Sequence, residues 1–257
     1  MNPTVGLVIA LQAEARALLG RGVWERADGN RYRRVYFNKE MSLIAVLSGV
    51  GRNNAMISAR WLISQKVKAL VSLGVAGGLD PTLRAGDTVF GDVIYQNQEG
   101  YYQKVWEGMP GIAGVVRERF QKRGIRGFAG GIVSVKSPAL SGSAKKKLHV
   151  ETGALAADME TGSAAIAAAE SSVPFFAFRT ICDPADREVR DPFFRCLDPG
   201  GQIKVSRIVP ALLRNPSLAS DLLALKRDFQ SALTGLHDAW HKAIREMIPL
   251  LISKEDE

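Results

Sequence analysis

Apolar runs of strand length, each followed by a segment of helical period, constrain this chain more than any other feature. Residues 5–11, 42–48, 69–73 and 173–181 are such runs, and residues 13–20, 53–65 and 159–171 carry helical spacing. The run at 69–73 ends in glycine and is nearly all apolar, the pattern of a strand covered on both faces. Further strands are expected at 31–37, 87–94, 131–135 and 154–157. Further helices are expected at 114–123 and 141–149, the second capped by Ser141. This alternation predicts an α/β fold, a central sheet covered by helices. The tail from 204 to 251 reads as helical, broken at Pro210, Asn215-Pro216 and Gly235.

No linker rich in Gly, Ser or Pro divides the 257 residues. We expect one catalytic domain over residues 1–200, with residues 201–257 as a helical C-terminal extension packed on it. A chain of this length buries a core without disulfide staples. Its two cysteines, Cys182 and Cys196, form neither a secreted framework nor a CxxC pair. No apolar run reaches the roughly 18–20 residues of a membrane span, and the expected location is the cytoplasm. The net charge of +8 admits nucleic acid, an anionic membrane surface, or a soluble protein with extra arginines. The aromatic residues form no nucleic-acid pattern, so nucleic acid is not the expected partner. A non-enzymic basic nucleotide-binding module remains the competing reading.

Four places put polar or glycine-rich chemistry at a strand end, where open α/β sheets bind ligands. Glu14 follows the first strand, either as a general base or as a first-turn glutamate that complements the helix dipole. Gly49-Val50-Gly51-Arg52 forms a strand–turn–helix junction able to cradle an anion, or simply a tight turn. Gly74-Val75-Ala76-Gly77-Gly78 lets backbone approach a ligand closely, or turns sharply into the next strand. Asp158-Met159-Glu160 and Arg179-Thr180-Ile181-Cys182-Asp183 set carboxylates at strand ends, where burial is costly unless they are paired or functional. His237 and His241 stand four apart without a third metal ligand, and no metal site is expected.

Taken in order, these blocks resemble the purine nucleoside phosphorylase/nucleosidase superfamily, and most closely its methylthioadenosine/S-adenosylhomocysteine nucleosidase family. The resemblance runs from Gly6–Glu14 through Ser48–Arg52, Gly74–Asp87 and Asp158–Thr161 to Val173–Asp186. A narrower resemblance, to the hopanoid-associated phosphorylases, rests on Val133–Ser141, Leu197–Ile203 and Leu212–Pro216. The resemblance implies a single three-layer domain with a mixed, partly closed sheet. It also implies cleavage of the N-glycosidic bond of an adenine nucleoside. Adenosylhopane is the expected substrate, with methylthioadenosine-type nucleosides as the alternative.

The same resemblance implies the roles. Asp183 is the general acid at the leaving base, and Glu14 with Arg179 holds and activates water. Glu160 accepts the ribose hydroxyls, Met159 packs on the sugar, and Ala76 and Gly77 line the base. Arg52 keeps inorganic phosphate open as the nucleophile. No cofactor is implied, only water or phosphate as co-substrate. Ser72 stands where phosphorylases of the superfamily carry an arginine, which favours water. A homodimer is the expected assembly. If the nucleoside is lipid-linked, Arg117, Arg119, Lys122, Arg123, Lys145, Lys146 and Lys147 are the residues expected to meet anionic lipid at the inner membrane face.

Overall fold

The computed structural model describes residues 5–20, 25–27, 34–98, 100–139, 141–187 and 218–249. Ten strands form one mixed sheet: β1 (Val5–Ile9), β2 (Glu25–Ala27), β3 (Arg34–Asn38), β4 (Leu43–Leu47), β5 (Ala69–Gly78), β6 (Thr88–Gln98), β7 (Tyr101–Glu107), β8 (Gly127–Ser134), β9 (Ala156–Asp158) and β10 (Phe175–Asp183). β4, β1, β5 and β10 run parallel. Strands β10, β6, β8, β9 and β5 close into a ring, because β10 pairs with both β6 and β5, and β1–β4–β3–β2 extend from it as an arm.

The helices are α1 (Gln12–Leu19), α2 (Arg52–Ser64), α3 (Ile112–Lys122), α4 (Gly142–Thr152), α5 (Thr161–Glu170) and α6 (Leu218–Ala239). Alternation along β10 shows how the layers form. Phe176 and Phe178 enter a cluster with Leu18, Phe120 and Trp240, whereas Phe175 and Ala177 enter a second cluster with Leu62 and Ala164. Period-two side chains thus serve a core on each face, and each buried phenylalanine contributes roughly 1.5–3 kcal/mol. Ser141 caps α4 as expected, its hydroxyl accepting from the Ala144 amide.

Three expectations are corrected. The glycine block at 74–78 is not a turn: β5 continues through Gly78. Gly235 does not break α6. A Cβ there would lie 2.4 Å from the Gly86 carbonyl oxygen, so glycine lets the helix cross β6's approach closely, and tertiary burial overrides its poor propensity. The helix continues into a π-helical stretch, Trp240–Ile244, whose Trp240 is buried in the first cluster. The third concerns Lys145, which is buried on α4 rather than exposed with Lys146 and Lys147. Strands β2 and β7 were not foreseen. The tail segments around Pro210, Asn215-Pro216, Leu197–Ile203 and Cys196 lie outside the described residues. Among the described residues no helix is long and apolar enough to cross a membrane.

The register around β5 positions everything that follows. β1 pairs with β5 only as far as Leu73, and β9 begins to pair at Gly77. Between these two points the β5 edge faces a gap where the sheet changes partner. Ligands bind at such switch points in α/β sheets.

Candidate active site

Glu14 fills the first part of that gap. Its Oε1 accepts from the Val75 amide at 2.9 Å, and its Oε2 accepts from the Leu11 and Ala10 amides at 2.8 and 3.1 Å. The carboxylate therefore caps its own helix and also replaces a missing strand neighbour of β5. The first-turn reading of this residue is thus seen in the structure. Gly74 makes the arrangement fit, since a Cβ there would lie 2.7 Å from Glu14 Oε1. Burial pushes the Glu14 pKa up, against its three amide donors and the Arg179 charge.

Glu160 approaches from the start of α5. The Gly51 amide donates to its Oε1 at 2.6 Å, and the Met159 amide donates to its Oε2 at 3.3 Å. Gly51 has φ +100°, a conformation open to glycine at little cost. The glycine junction thus holds the protein's own Glu160 carboxyl group. Burial, and next the nearby Asp158 charge, push the Glu160 pKa to about 8. Glu14, Glu160, Arg179, Ser72, Gly74 and Val75 line one pocket.

Arg179 is fully engaged in building that pocket. Its Nε donates to Asp158 Oδ2 at 2.9 Å, one Nη to Ser72 Oγ at 2.7 Å, and the other to the Phe178 carbonyl at 2.9 Å. Asp158 in turn accepts from Ser134 Oγ and from both the amide and hydroxyl of Thr161. Arg52 spends its two Nη groups on the Asn97 and Ser134 carbonyls, each at 2.8 Å. It ties α2 to the ends of β6 and β8, and its Nε is buried without a hydrogen-bond partner among the described residues. Met159 is half-buried against a cluster containing Val133 and Leu148.

Asp183 closes the far end. It pairs in register with Gly77, and a β-bulge at Cys182 shifts β10 by one residue between Ile181 and Asp183. The bulge breaks the alternation that Arg179 and Ile181 follow and re-aims the aspartate. A Cβ on Gly77 would lie 3.7 Å from Asp183 Oδ2, so β5 passes close by. Burial raises the Asp183 pKa, opposed first by Lys145. From Gly74, beside Glu14, to Gly77, beside Asp183, is three strand residues, about 10 Å. That length suits a base joined to a sugar.

The structure therefore brings Glu14, Glu160, Arg179, Ala76, Gly77 and Asp183 around one stretch of β5, and turns Arg52 to a backbone role. Sequence reasoning missed Lys145 as part of the site. Its signal was its spacing three residues before the buried Leu148. Consecutive helical lysines point about 100° apart, so they cannot share one exposed face. Among the described residues no group of three or more His, Cys, Asp or Glu is placed to hold a metal. His237 and His241 stack with ring centroids 4.3 Å apart, and His237 Nδ1 meets the Ala17 carbonyl.

Comparison with known proteins gives a family and a fold. The sequence profile described as "Phosphorylase superfamily" matches residues 4–196. A 5′-methylthioadenosine/S-adenosylhomocysteine nucleosidase from Mycobacterium bovis is 25% identical, over 82% of this chain and 99% of its own. The native structure of futalosine hydrolase of Helicobacter pylori superposes with a TM-score of 0.69 at 17% identity, covering 99% of each chain. The Neisseria meningitidis 5′-methylthioadenosine/S-adenosylhomocysteine nucleosidase in complex with methylthio-immucillin-A gives 0.65 at 19%, covering 98% of this chain and 99% of the other. The two structural likenesses are likenesses of fold.

Proposed function

The chain belongs to the phosphorylase superfamily, and from that premise we propose that it hydrolyses the N-glycosidic bond of a purine nucleoside in the β5 gap. The observation that carries water as the nucleophile is Glu14. A buried carboxylate lines the pocket, while Arg179 and Arg52 are both committed to protein partners. A phosphate dianion would meet that carboxylate, with Arg179 and both Nη groups of Arg52 already donating to protein acceptors. Water, in contrast, finds an acceptor for its proton.

In this reading Glu14 accepts a proton from water as the water oxygen bonds to C1′ of the ribose. The C1′–N9 bond breaks with its electron pair going to the base. Asp183 delivers its proton to N7, so the base leaves neutral. Glu160 accepts hydrogen bonds from the 2′- and 3′-hydroxyls, and its charge favours the oxocarbenium-like sugar. Met159 packs on the sugar, and the backbone at Ala76 and Gly77 forms the wall beside the base. Arg179 acts as a framework cation rather than as a water ligand. General acid catalysis by Asp183 contributes roughly 10²–10⁴-fold.

The finer proposal is that the nucleoside is adenosylhopane, with adenine released in hopanoid side-chain synthesis. It is supported by the sequence resemblance of Val133–Ser141 and of the tail. Leu223 on α6 is 67% exposed and is available to an apolar 5′-substituent. A soluble nucleoside of the methylthioadenosine or futalosine type is the second reading, favoured by the relatives named above. In either case we propose a cytoplasmic homodimer. Of the basic residues considered for lipid contact, Arg119 and Arg123 pair with Glu246, and Lys122 with Glu118. Peripheral membrane binding therefore rests on fewer free charges than the sequence suggests, and vesicle sedimentation at low and high salt tests it. The deciding experiment measures base release from adenosylhopane in vesicles, methylthioadenosine, S-adenosylhomocysteine and futalosine, with and without phosphate. Phosphate-independent release from adenosylhopane, with the soluble nucleosides far slower, is the expected result. Efficient cleavage of a soluble nucleoside alone overturns the hopanoid proposal. Absence of base release from all four overturns the hydrolase reading.

A further inference from the structure

Asp183 has a companion that the mechanism above does not use. Lys145, in the first turn of α4, places Nζ 2.8 Å from Asp183 Oδ2, and the lysine side chain is 1% exposed. The same Nζ donates to the Pro184 carbonyl at 2.7 Å and the Arg187 carbonyl at 3.0 Å, with the Asp183 carbonyl at 3.4 Å. An ammonium has three protons, and here they clamp the carboxylate and the backbone that follows it. Arg187 extends the clamp by donating to Asp228 Oδ2 on α6 at 2.6 Å. Asp183 Oδ1, in contrast, is buried and without a hydrogen-bond partner among the described residues.

We infer that Lys145 is the positioning residue of the general acid: it pins Oδ2 and leaves Oδ1 as the one oxygen that carries the proton to the leaving base. The inference rests on the hydrolase reading given above. Two free carboxyl oxygens would share the proton between two orientations, whereas one pinned oxygen fixes the donor and its direction. The pair also balances the step. Before transfer the proton sits on Oδ1. Afterwards it sits on N7, the electron pair of the broken bond stays on the base, and the aspartate anion faces the Lys145 ammonium. Lys145 thus stabilises the charge that appears as the base departs. The charges around Asp183 come from three places. Lys145 on α4 and Arg187 after β10 favour the anion, and Asp228 on α6 opposes it. Burial, then Asp183, then Glu14 on α1 raise the pKa of the adjacent Cys182.

The test is the pH dependence of kcat and kcat/KM for the wild type, Lys145→Gln, Lys145→Met and Lys145→Arg, with thermal unfolding as the check on folding. Lys145→Gln keeps amide donors for the Pro184 and Arg187 carbonyls but carries no charge. It is expected to lose about 10²-fold in kcat with KM changed less than about threefold. Its alkaline limb is expected to move to higher pH, because an aspartate without its cation holds its proton longer. Lys145→Met should behave likewise. Lys145→Arg should restore the wild-type limb and most of kcat. A folded Lys145→Gln or Lys145→Met enzyme with wild-type kcat and an unmoved alkaline limb overturns the inference while leaving the hydrolase reading intact. Should either neutral variant fail to fold, the other and Lys145→Arg decide. A wild-type protein that releases no base overturns both.

Discussion

Two buried cation–carboxylate pairs hang from the same strand, Arg179 with Asp158 and Lys145 with Asp183, and they differ in how completely they are satisfied. The Arg179 and Asp158 side chains are 3% and 1% exposed. Asp158 takes donors from Ser134, Thr161 and Arg179, while Arg179 spends its guanidinium on Asp158, Ser72 and Phe178. At the other pair Asp183 is 14% exposed, one oxygen is held, and the other has no partner among the described residues. A polar network with every member satisfied holds strands and helices in one arrangement. One that keeps a single acceptor in reserve carries a cost that a bound ligand or water relieves. In the proposed mechanism the first pair belongs to the fold and the second to the chemistry.

The largest effects should separate the two pairs most sharply. Asp183→Asn is expected to lower base release by about 10²–10⁴-fold while costing less stability than loss of the Asp158 charge. The sign follows from the raised pKa. For a carboxyl whose folded pKa lies above its unfolded one, ionisation at neutral pH works against the fold, so a neutral amide removes no stabilising charge. Asp158→Asn should do the reverse. Breaking a buried pair by removing one partner costs about 3–5 kcal/mol, seen as a lowered Tm, and the surviving folded fraction should retain much of its turnover. An Asp158→Asn protein of normal Tm, or an unfolded Asp183→Asn protein, would erase the distinction.

Smaller effects sharpen it. Gly74→Ala drives a methyl against Glu14 Oε1 and should cost about 10²-fold in kcat/KM through misplacement of that carboxylate, measurable beside an almost unchanged unfolding curve. Gly235→Ala meets the Gly86 carbonyl and the Thr180 methyl instead. It should cost about 1–3 kcal/mol of stability and leave kcat as it was. Least in amplitude is the pH profile of kcat/KM. Loss of the Glu14 and Glu160 protons, both held to higher pH by burial, should raise the rate, and loss of the Asp183 proton, also held by burial, should lower it. A profile with no alkaline fall would remove Asp183 from the role of acid.

Much of this contrast was legible in the sequence, and the rest was hidden for physical reasons. Asp183, Glu160 and Glu14 announce themselves as carboxylates directly after apolar strands. The layers follow from period and alternation. The glycine block misled because glycine signals both a turn and a close approach, and here Gly74 serves a carboxylate pressed against a continuing strand. Gly235 misled in the same way, since helix propensity says nothing about the carbonyl it must pass. Arg52 looked like an anion ligand because its two carbonyl partners, Asn97 and Ser134, lie 45 and 82 residues away. Lys145 was masked by its neighbours Lys146 and Lys147: a run of like charges reads as solvated surface, and only the helical phase set by Leu148 points one of the three inward.

The most direct test of the central claim is to run the reaction in ¹⁸O-labelled water with inorganic phosphate present and analyse the sugar product by mass spectrometry. Hydrolysis at the β5 gap predicts free purine base and a sugar carrying one ¹⁸O at C1′, at a rate that phosphate does not change and that Asp183→Asn abolishes. A sugar 1-phosphate without label, or base release undiminished by Asp183→Asn, would contradict the account.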